Sequence, residues 1–298
     1  MVNARRVVVT GSSGKAGRAV VRELLKHGYD VTAVDLVPFD AVGLPRPLAG
    51  NLRADLTDFG QTLEVLRGMD GVVHLANIPA PGLTTPGRTF LENTAMNFAV
   101  FSAAVQGGLK RVVWASSETT LGLPFDTPPR YAPVDEEHFP LPESTYALSK
   151  VVGETLAEQF ARWSKIGFVG LRISNIMEPH DYAAFPGFWA DAHLRKWNLW
   201  GYVDARDVAQ ACRLGLEADV SGARSVIVAA ADTVMNRPSR ELMAEVFPGV
   251  PVAPDLGDFG TLLSVREAGR VLGYVPGYSW RSMVTAGRLR QDRSAPEG

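Results

Sequence analysis

Apolar and polar positions alternate in blocks along most of the chain. The β-branched run Arg5–Thr10 enters a glycine-rich turn, and Ala16–His27 then carries apolar residues at Ala16, Ala19, Val20, Leu24 and Leu25, a helical spacing closed by Gly28. Strand-like runs recur at Tyr29–Val34, Gly71–Ala76 and Arg111–Ala115, with helical patterns near Thr62–Leu66 and Thr89–Val105 between them. The alternation resumes as helix at Ser144–Trp163, strand at Phe168–Ile173, helix at Ala205–Leu216 and strand at Ser225–Ala229. Strands apolar on both faces and separated by helices predict an α/β fold with a doubly wound parallel sheet.

Two stretches interrupt this rhythm: Leu121–Pro142, rich in proline and acid, and the aromatic Glu178–Trp200. Segments of that length in a compact domain are usually functional or disordered. Together with Arg237–Arg281 they predict a small C-terminal substrate lobe over the carboxyl edge of the sheet, where such sheets bind ligands. The expected division is 1–176 with 202–232 as a Rossmann-type nucleotide-binding unit, 177–201 with 233–287 as the lobe, and 288–298 as a polar tail. The aromatics Phe185, Phe188, Trp189, Trp197 and Trp200 read first as the core of that lobe and second as a sugar-stacking platform.

Composition narrows the class of ligand. Thirty Lys and Arg against 32 Asp and Glu leave a formal charge of −2, so the chain offers no field for nucleic acid. One cysteine, Cys212, and five scattered histidines give no metal-ligand spacing, and no metal is expected. No apolar run approaches the roughly 20 residues of a membrane span. A cytoplasmic protein acting on a small molecule is the resulting expectation.

Gly11, Gly14 and Gly17 stand three apart between a strand and a helix. Gly11 would allow the bend, Gly14 the close approach of a pyrophosphate, and Gly17 the packing of helix on strand; a plain left-handed turn is the alternative. Asp35 follows the second strand about 20 residues on, where a carboxylate accepts both ribose hydroxyls of an adenosine and repels a 2′-phosphate. NAD is therefore expected over NADP, a preference that Lys15 and Arg18 would soften. Asp35 as a simple loop cap is the competing reading.

Tyr146 and Lys150 lie four apart, on one face of a helix. A phenol of reference pKa about 10 becomes a base when an ammonium and an oxidised nicotinamide favour its phenolate. Tyr146 could then take the proton of an alcohol as its carbon loses hydride, or return it to a carbonyl. Ser117, beyond the strand Arg111–Ala115, could bond the same substrate oxygen.

These residues resemble the extended short-chain dehydrogenase/reductases, in particular the NAD-dependent epimerase/dehydratase family. Thr10-Gly11-x-x-Gly14-x-x-Gly17 is similar to its cofactor fingerprint, Ala54-Asp55-Leu56-Thr57-Asp58 to its adenine turn, and His74-Leu75-Ala76-Asn77 to the strand end beside the cofactor. Asn93 falls near its helical asparagine, and Trp114-Ala115-Ser116-Ser117 through Gly122 resembles its catalytic strand end, with Leu121 in place of a tyrosine. Counting back from Gly122 selects Ser117 rather than Ser116. Leu171-Arg172-Ile173-Ser174-Asn175 is similar to the strand ending in a substrate-facing asparagine, and Ser264–Pro276 to the closing helix and Leu-Gly-Tyr-x-Pro turn. The resemblance implies catalysis by Ser117, Tyr146 and Lys150. It implies cofactor contacts from Gly11, Gly14, Lys15, Ala16, Gly17, Asp35, Asp55, Leu56, Leu75, Ala76, Asn77, Asn93 and Lys150. It also implies a homodimer through the helices at Thr89–Val105 and Ser144–Trp163.

Departures from the pattern bear on the reaction. Only 26 residues separate Asn175 from Tyr202, and Trp200-Gly201 stand where nucleotide-sugar enzymes place an arginine for the diphosphate, although Arg195 or Lys196 could compensate. Ser117 is followed by Glu118 and Thr119 rather than the Asp-Glu pair of dehydratases. The short form, with Met177-Glu178-Pro179-His180-Asp181, resembles uronate dehydrogenases, with His180 where their carboxylate-binding arginine is expected and a solvated loop residue as its competing reading. The leading expectation is an NAD-dependent dehydrogenase of a free sugar, sugar acid or small polyol, with Ser117, Asn175 and His180 against the substrate. A nucleotide-sugar epimerase is the alternative, and a non-catalytic NAD(P) sensor the reading from another class.

Overall fold

A computed structural model describes residues 5–138 and 140–285. Strands β1 (Arg6–Thr10), β2 (Asp30–Asp35), β3 (Gly50–Arg53), β4 (Gly71–His74), β5 (Arg111–Ser117), β6 (Gly167–Ile173) and β9 (Ala223–Val228) form one parallel sheet in the order β3-β2-β1-β4-β5-β6-β9. Every pairing is parallel, as the two-sided apolar runs predict. β7 (Ile176–Met177) and β8 (Val203–Asp204) make a separate short parallel pair.

Helices α1 (Lys15–Lys26) and α5 (Ala205–Glu217) cover one face of the large sheet, with Val20, Leu24, Val208 and Leu216 in contact with Val7, Val9 and Val169. Helices α2 (Phe59–Leu66), α3 (Pro86–Gln106) and α4 (Thr145–Ser164) cover the other, where Phe101 and Phe160 pack against Val72, Val112 and Phe168. The strand order reverses between β1 and β4, so the loops leaving their carboxyl ends diverge and open a crevice. Asp204 at the α5 N-cap accepts from the Arg206 backbone N–H and guanidinium and from the Tyr182 hydroxyl.

The element ends differ from the sequence reading in one consequential place. β5 runs two residues past Ala115, because Ser116 and Ser117 still pair in register with Arg172 and Ile173. Ser117 is thus fixed by the ladder rather than carried on a loop. β3 has almost no apolar face, being an edge strand with three of four residues exposed, and shows no period.

The two interrupting stretches build a second core. Pro179–Phe188 and Ala192–Asn198 wind as 3-10 helices. Tyr182, Phe185, Leu199, Trp200 and Tyr202 pack with Leu121, Phe125, Met235, Leu242, Leu263 and Trp280, beside α6 (Ser239–Val246), α7 (Arg266–Leu272) and α8 (Trp280–Thr285). Trp200 is fully buried, its indole N–H donating to the Ala192 carbonyl, so most of the aromatic cluster is core. Trp197 alone among the named tryptophans lines the crevice. The expected tail, 288–298, lies outside the described residues.

Candidate active site

A cleft of about 1240 Å³ opens at the carboxyl edge above β1 and β4. At its floor Gly11 adopts φ +65°, and a Cβ there would stand 2.6 Å from the Ala76 nitrogen. A Cβ on Gly17 would stand 2.1 Å from the Gly11 carbonyl oxygen. Only glycine lets the three backbone segments meet this closely. A Cβ on Gly14 would meet nothing nearer than 3.4 Å, and that residue faces the cleft as the N-cap of α1. No side chain caps this helix and its first turn carries no acid, so its N-terminal amides are presented to a ligand.

Asp35 stands at the mouth, where its carboxylate accepts from the Ser13 and Val37 amides at 2.9 and 3.2 Å. Lys15, Ala16, Asp55, Leu56, Leu75, Ala76 and Asn77 line the same cleft, and the buried Asn77 Oδ1 has no partner. A glycine cradle, an uncapped helix start, an acid at the mouth and an orphaned amide oxygen fit a dinucleotide running across the switch point. Asn93 is not in the wall. It is buried below it, its amide accepting from the Ile78 N–H at 2.7 Å and donating to the Ile78 carbonyl at 3.1 Å. It holds the loop after β4, so its place in the structure is below the wall rather than in it. Lys150 likewise lies behind the wall, 1% exposed.

Tyr146 is in the first turn of α4, fixed by the Ser144 N-cap, whose hydroxyl accepts from the Ala147 amide at 3.1 Å. Lys150 Nζ is 5.4 Å from the Tyr146 ring centre and donates to the Ala115 carbonyl at 2.8 Å. Burial without an acidic partner pushes the lysine down to about 7. Burial pushes the Tyr146 phenol up to about 12; a hydrogen bond with Ser117 works the other way, and the nearby charge of Glu118 adds to the rise. Ser117 Oγ also accepts from the Thr119 amide and hydroxyl at 3.2 and 3.0 Å. Ser116 Oγ instead donates to Glu154 at 2.6 Å, inside a buried pair with Arg172, in keeping with Ser117 as the serine beside the phenol.

Two residues matter more here than their sequence context signals. Glu118, 3% exposed, lines the cleft and accepts from Ser174 Oγ at 2.5 Å and Asn198 Nδ2 at 3.2 Å. Burial raises its carboxyl to about 7 against these bonds and the Arg195 charge. Arg195 is buried, lies over the rings of Phe188 and Trp197, and donates to the Gly201 carbonyl. With its amide oxygen turned toward the guanidinium, Asn175 accepts from both Arg195 nitrogens at 3.1 and 3.2 Å. Neither set of contacts follows from local spacing, because Ser174 and Asn175 lie just beyond β6, Arg195 and Asn198 on a 3-10 helix, and Glu118 just beyond β5. If Glu118 charge opposes phenolate formation, Glu118→Gln should move the rising limb of an oxidation pH profile to lower pH. An unmoved limb would disprove that coupling.

His180 departs from expectation. Its side chain is 74% exposed, turned to Asp181 at 3.6 Å, and it does not line the cleft. The 3-10 turn starting at Pro179 aims it at solvent, so Asn175 is in the site wall and His180 is not.

Several known proteins are similar to this chain in sequence or in fold. The NAD-dependent glucose-6-phosphate dehydrogenase of Haloferax volcanii is 29% identical over 185 residues, 58% of this chain and 70% of that protein. A UDP-glucose 4-epimerase of Corynebacterium glutamicum is 24% identical over 313 residues, covering 91% of each chain. The solved uronate dehydrogenase of Agrobacterium tumefaciens superposes with a TM-score of 0.65 at 21% identity, over 98% of this chain and 91% of that one, a likeness of fold. The model of the NAD dependent epimerase/dehydratase family matches residues 7–230, from the first buried valine of β1 to just beyond β9. Because that span contains the glycine cradle, the acid at its mouth and the tyrosine–lysine helix, the chain belongs to the NAD-dependent epimerase/dehydratase family and is an NAD-dependent enzyme.

Proposed function

We propose that this enzyme is a dehydrogenase that transfers hydride between NAD and a hydroxyl or carbonyl of a free sugar, sugar acid or similar small polyol. The carrying observation is the buried Tyr146–Lys150 pair beside Ser117, opening on a substrate end whose Trp200 is locked in the core. Bound NAD supplies the hydride acceptor. Tyr146 Oη takes the proton of the substrate hydroxyl, and Lys150 steadies the phenolate by its charge. Ser117 and Asn175 hold the oxygen-bearing end of the substrate, with Arg195 fixing the asparagine amide. Gly11, Gly14, Lys15, Ala16 and Gly17 receive the pyrophosphate, Asp35 the adenosine ribose, and Asp55, Leu56, Leu75, Ala76 and Asn77 the remainder of the dinucleotide.

The same relay would serve a nucleotide-sugar epimerase, a reading favoured by the full-length relative of that name. Against it, the position before Tyr202 offers a buried indole and a glycine, neither able to grip a diphosphate. Arg195 is already committed to Gly201 and Asn175. Incubation of the purified protein with NAD and a panel of aldoses, uronates and polyols should give the absorbance of NADH. Silence across the panel with turnover of UDP-glucose would replace this reading by the epimerase.

The second core, with Leu121–Val134 and residues 177–201, 233–247 and 262–285, serves as the substrate lobe in this reading. Helices α3 and α4 pack together and expose Leu91, Phe98, Leu148 and Trp163, so we propose that a second copy covers this face as a homodimer. The mass of a single chain by sedimentation would refute it. No helix among the described residues is long and apolar enough to cross a membrane, and the cytoplasm, where NAD is plentiful, is the proposed compartment. Cell fractionation tests this, and recovery outside the cytoplasm would refute it.

A further inference from the structure

The start of α1 carries two cations, Lys15 and Arg18, and the turn before it reaches Asp35 through the Ser13 amide. Their positions suggest a welcome for the extra phosphate of NADP. The tertiary contacts remove it. Lys15 Nζ is 2.6 Å from Asp181 Oδ2. The Arg18 guanidinium donates through one nitrogen to the Ser13 carbonyl at 2.8 Å and through the other to both oxygens of Glu178, at 3.0 and 3.1 Å. Both acids come from the turn after β7, more than 150 positions further on.

This acidic pair is itself fixed. The Glu178 N–H donates to Asp181 Oδ2 at 2.8 Å, and the Asp181 amide donates to the Glu178 main-chain carbonyl at 2.9 Å. The Asp181 carboxyl is partly buried, but the Glu178 amide and the Lys15 ammonium hold it below the usual carboxylate range. His180 stands against its other oxygen. The peptide of Ser13 then separates the two halves of the device: its N–H serves Asp35 and its C=O serves Arg18. Charge around the turn therefore sums to that of Asp35 alone. Arg53, the register partner of Asp35 on β3, is exposed and forms no ion pair with the described residues; it supplies a constant background.

We infer that Glu178 and Asp181 are positioning residues for cofactor choice: by holding Arg18 and Lys15 they deny a 2′-phosphate its counter-charges and make the cleft selective for NAD over NADP. Selectivity in this reading comes from Asp35 at the ribose and from an acidic clasp outside the nucleotide-binding strands. A pyrophosphate is common to both cofactors, so any effect of Lys15 on it cancels in their ratio.

The test is calorimetric titration of the intact protein with NAD and with NADP, without substrate, so it stands or falls apart from the sugar reading. Wild type should bind NAD more tightly. In Glu178→Gln/Asp181→Asn the amides keep their acceptor oxygens but release the cations. NADP affinity should rise about fivefold relative to NAD affinity, the range of a partly exposed ion pair, since any gain of the freed Lys15 at the pyrophosphate is common to both. Adding Arg18→Met and Lys15→Met should abolish the gain. Equal changes for both cofactors, an unchanged NADP affinity, or a wild type that binds NADP as tightly as NAD would each overturn the inference. If the double amide variant does not fold, Lys15→Met/Arg18→Met in the wild-type background decides. The NAD-to-NADP affinity ratio should stay as it was, and a selective loss of NADP would overturn the inference.

Discussion

Tyr146→Phe should lower turnover by roughly 10²–10⁴-fold, the range for removing a positioned acid–base group, while NAD affinity stays within about twofold. The ring keeps its volume, so the first turn of α4 and its Ser144 cap are undisturbed. What disappears is the hydroxyl that burial holds up to about 12 and that Ser117 hydrogen-bonds. Because burial holds the Tyr146 phenol up to about 12, it is protonated at neutral pH, and oxidation rates should climb with pH as the phenolate forms. Stopped-flow turnover and calorimetric NAD binding on the same variant separate the two effects. Retained turnover would remove Tyr146 from the chemistry, and a protein that binds NAD without any substrate turnover would favour the sensor reading.

The second large effect is structural. Gly17→Ala should destabilise the protein by about 3 kcal/mol or more, as for an overpacked backbone contact, and weaken NAD binding in step. Its Cβ would stand 2.1 Å from the Gly11 oxygen and 2.6 Å from the Ser12 backbone. Gly11 cannot give way, because a Cβ of its own would already collide with Ala76 and the loop after β4 lies directly behind. Gly14→Ala is the contrast: with 3.4 Å of clearance it should melt like wild type yet bind NAD less well, since the new methyl faces the cleft. Thermal unfolding followed by titration measures both. A Gly17→Ala protein with the melting temperature of wild type would show that helix and strand do not meet through this residue.

The sheet, its helices and the cofactor class were legible because each rests on local spacing. Val7-Val8-Val9 followed by Gly11, Gly14 and Gly17 states strand, turn and helix within a few residues, and Tyr146 and Lys150 share a face by helical period alone. The clamp of Asn93 on Ile78 was not legible, because a buried asparagine on α3 looks the same in sequence whether it meets a ligand or a loop. Of the two readings of His180, the solvated loop residue matches its exposure. Its place in the chain lies close to Asn175, but a 3-10 turn rather than an extended strand end carries it, and the side chain leaves the cleft.

The chain alone determined fold and cofactor class and put Tyr146 and Lys150 on one helix face, since backbone period and turn chemistry act over distances of one helical turn. Only the assembled molecule decided what those groups experience. Glu118 meets Ser174 and Asn198, Arg195 meets Asn175, and Glu178 and Asp181 meet Arg18 and Lys15, across separations of 20 to 166 positions. Charge and burial depend on distance through space, and folding sets that distance without leaving a period in the sequence.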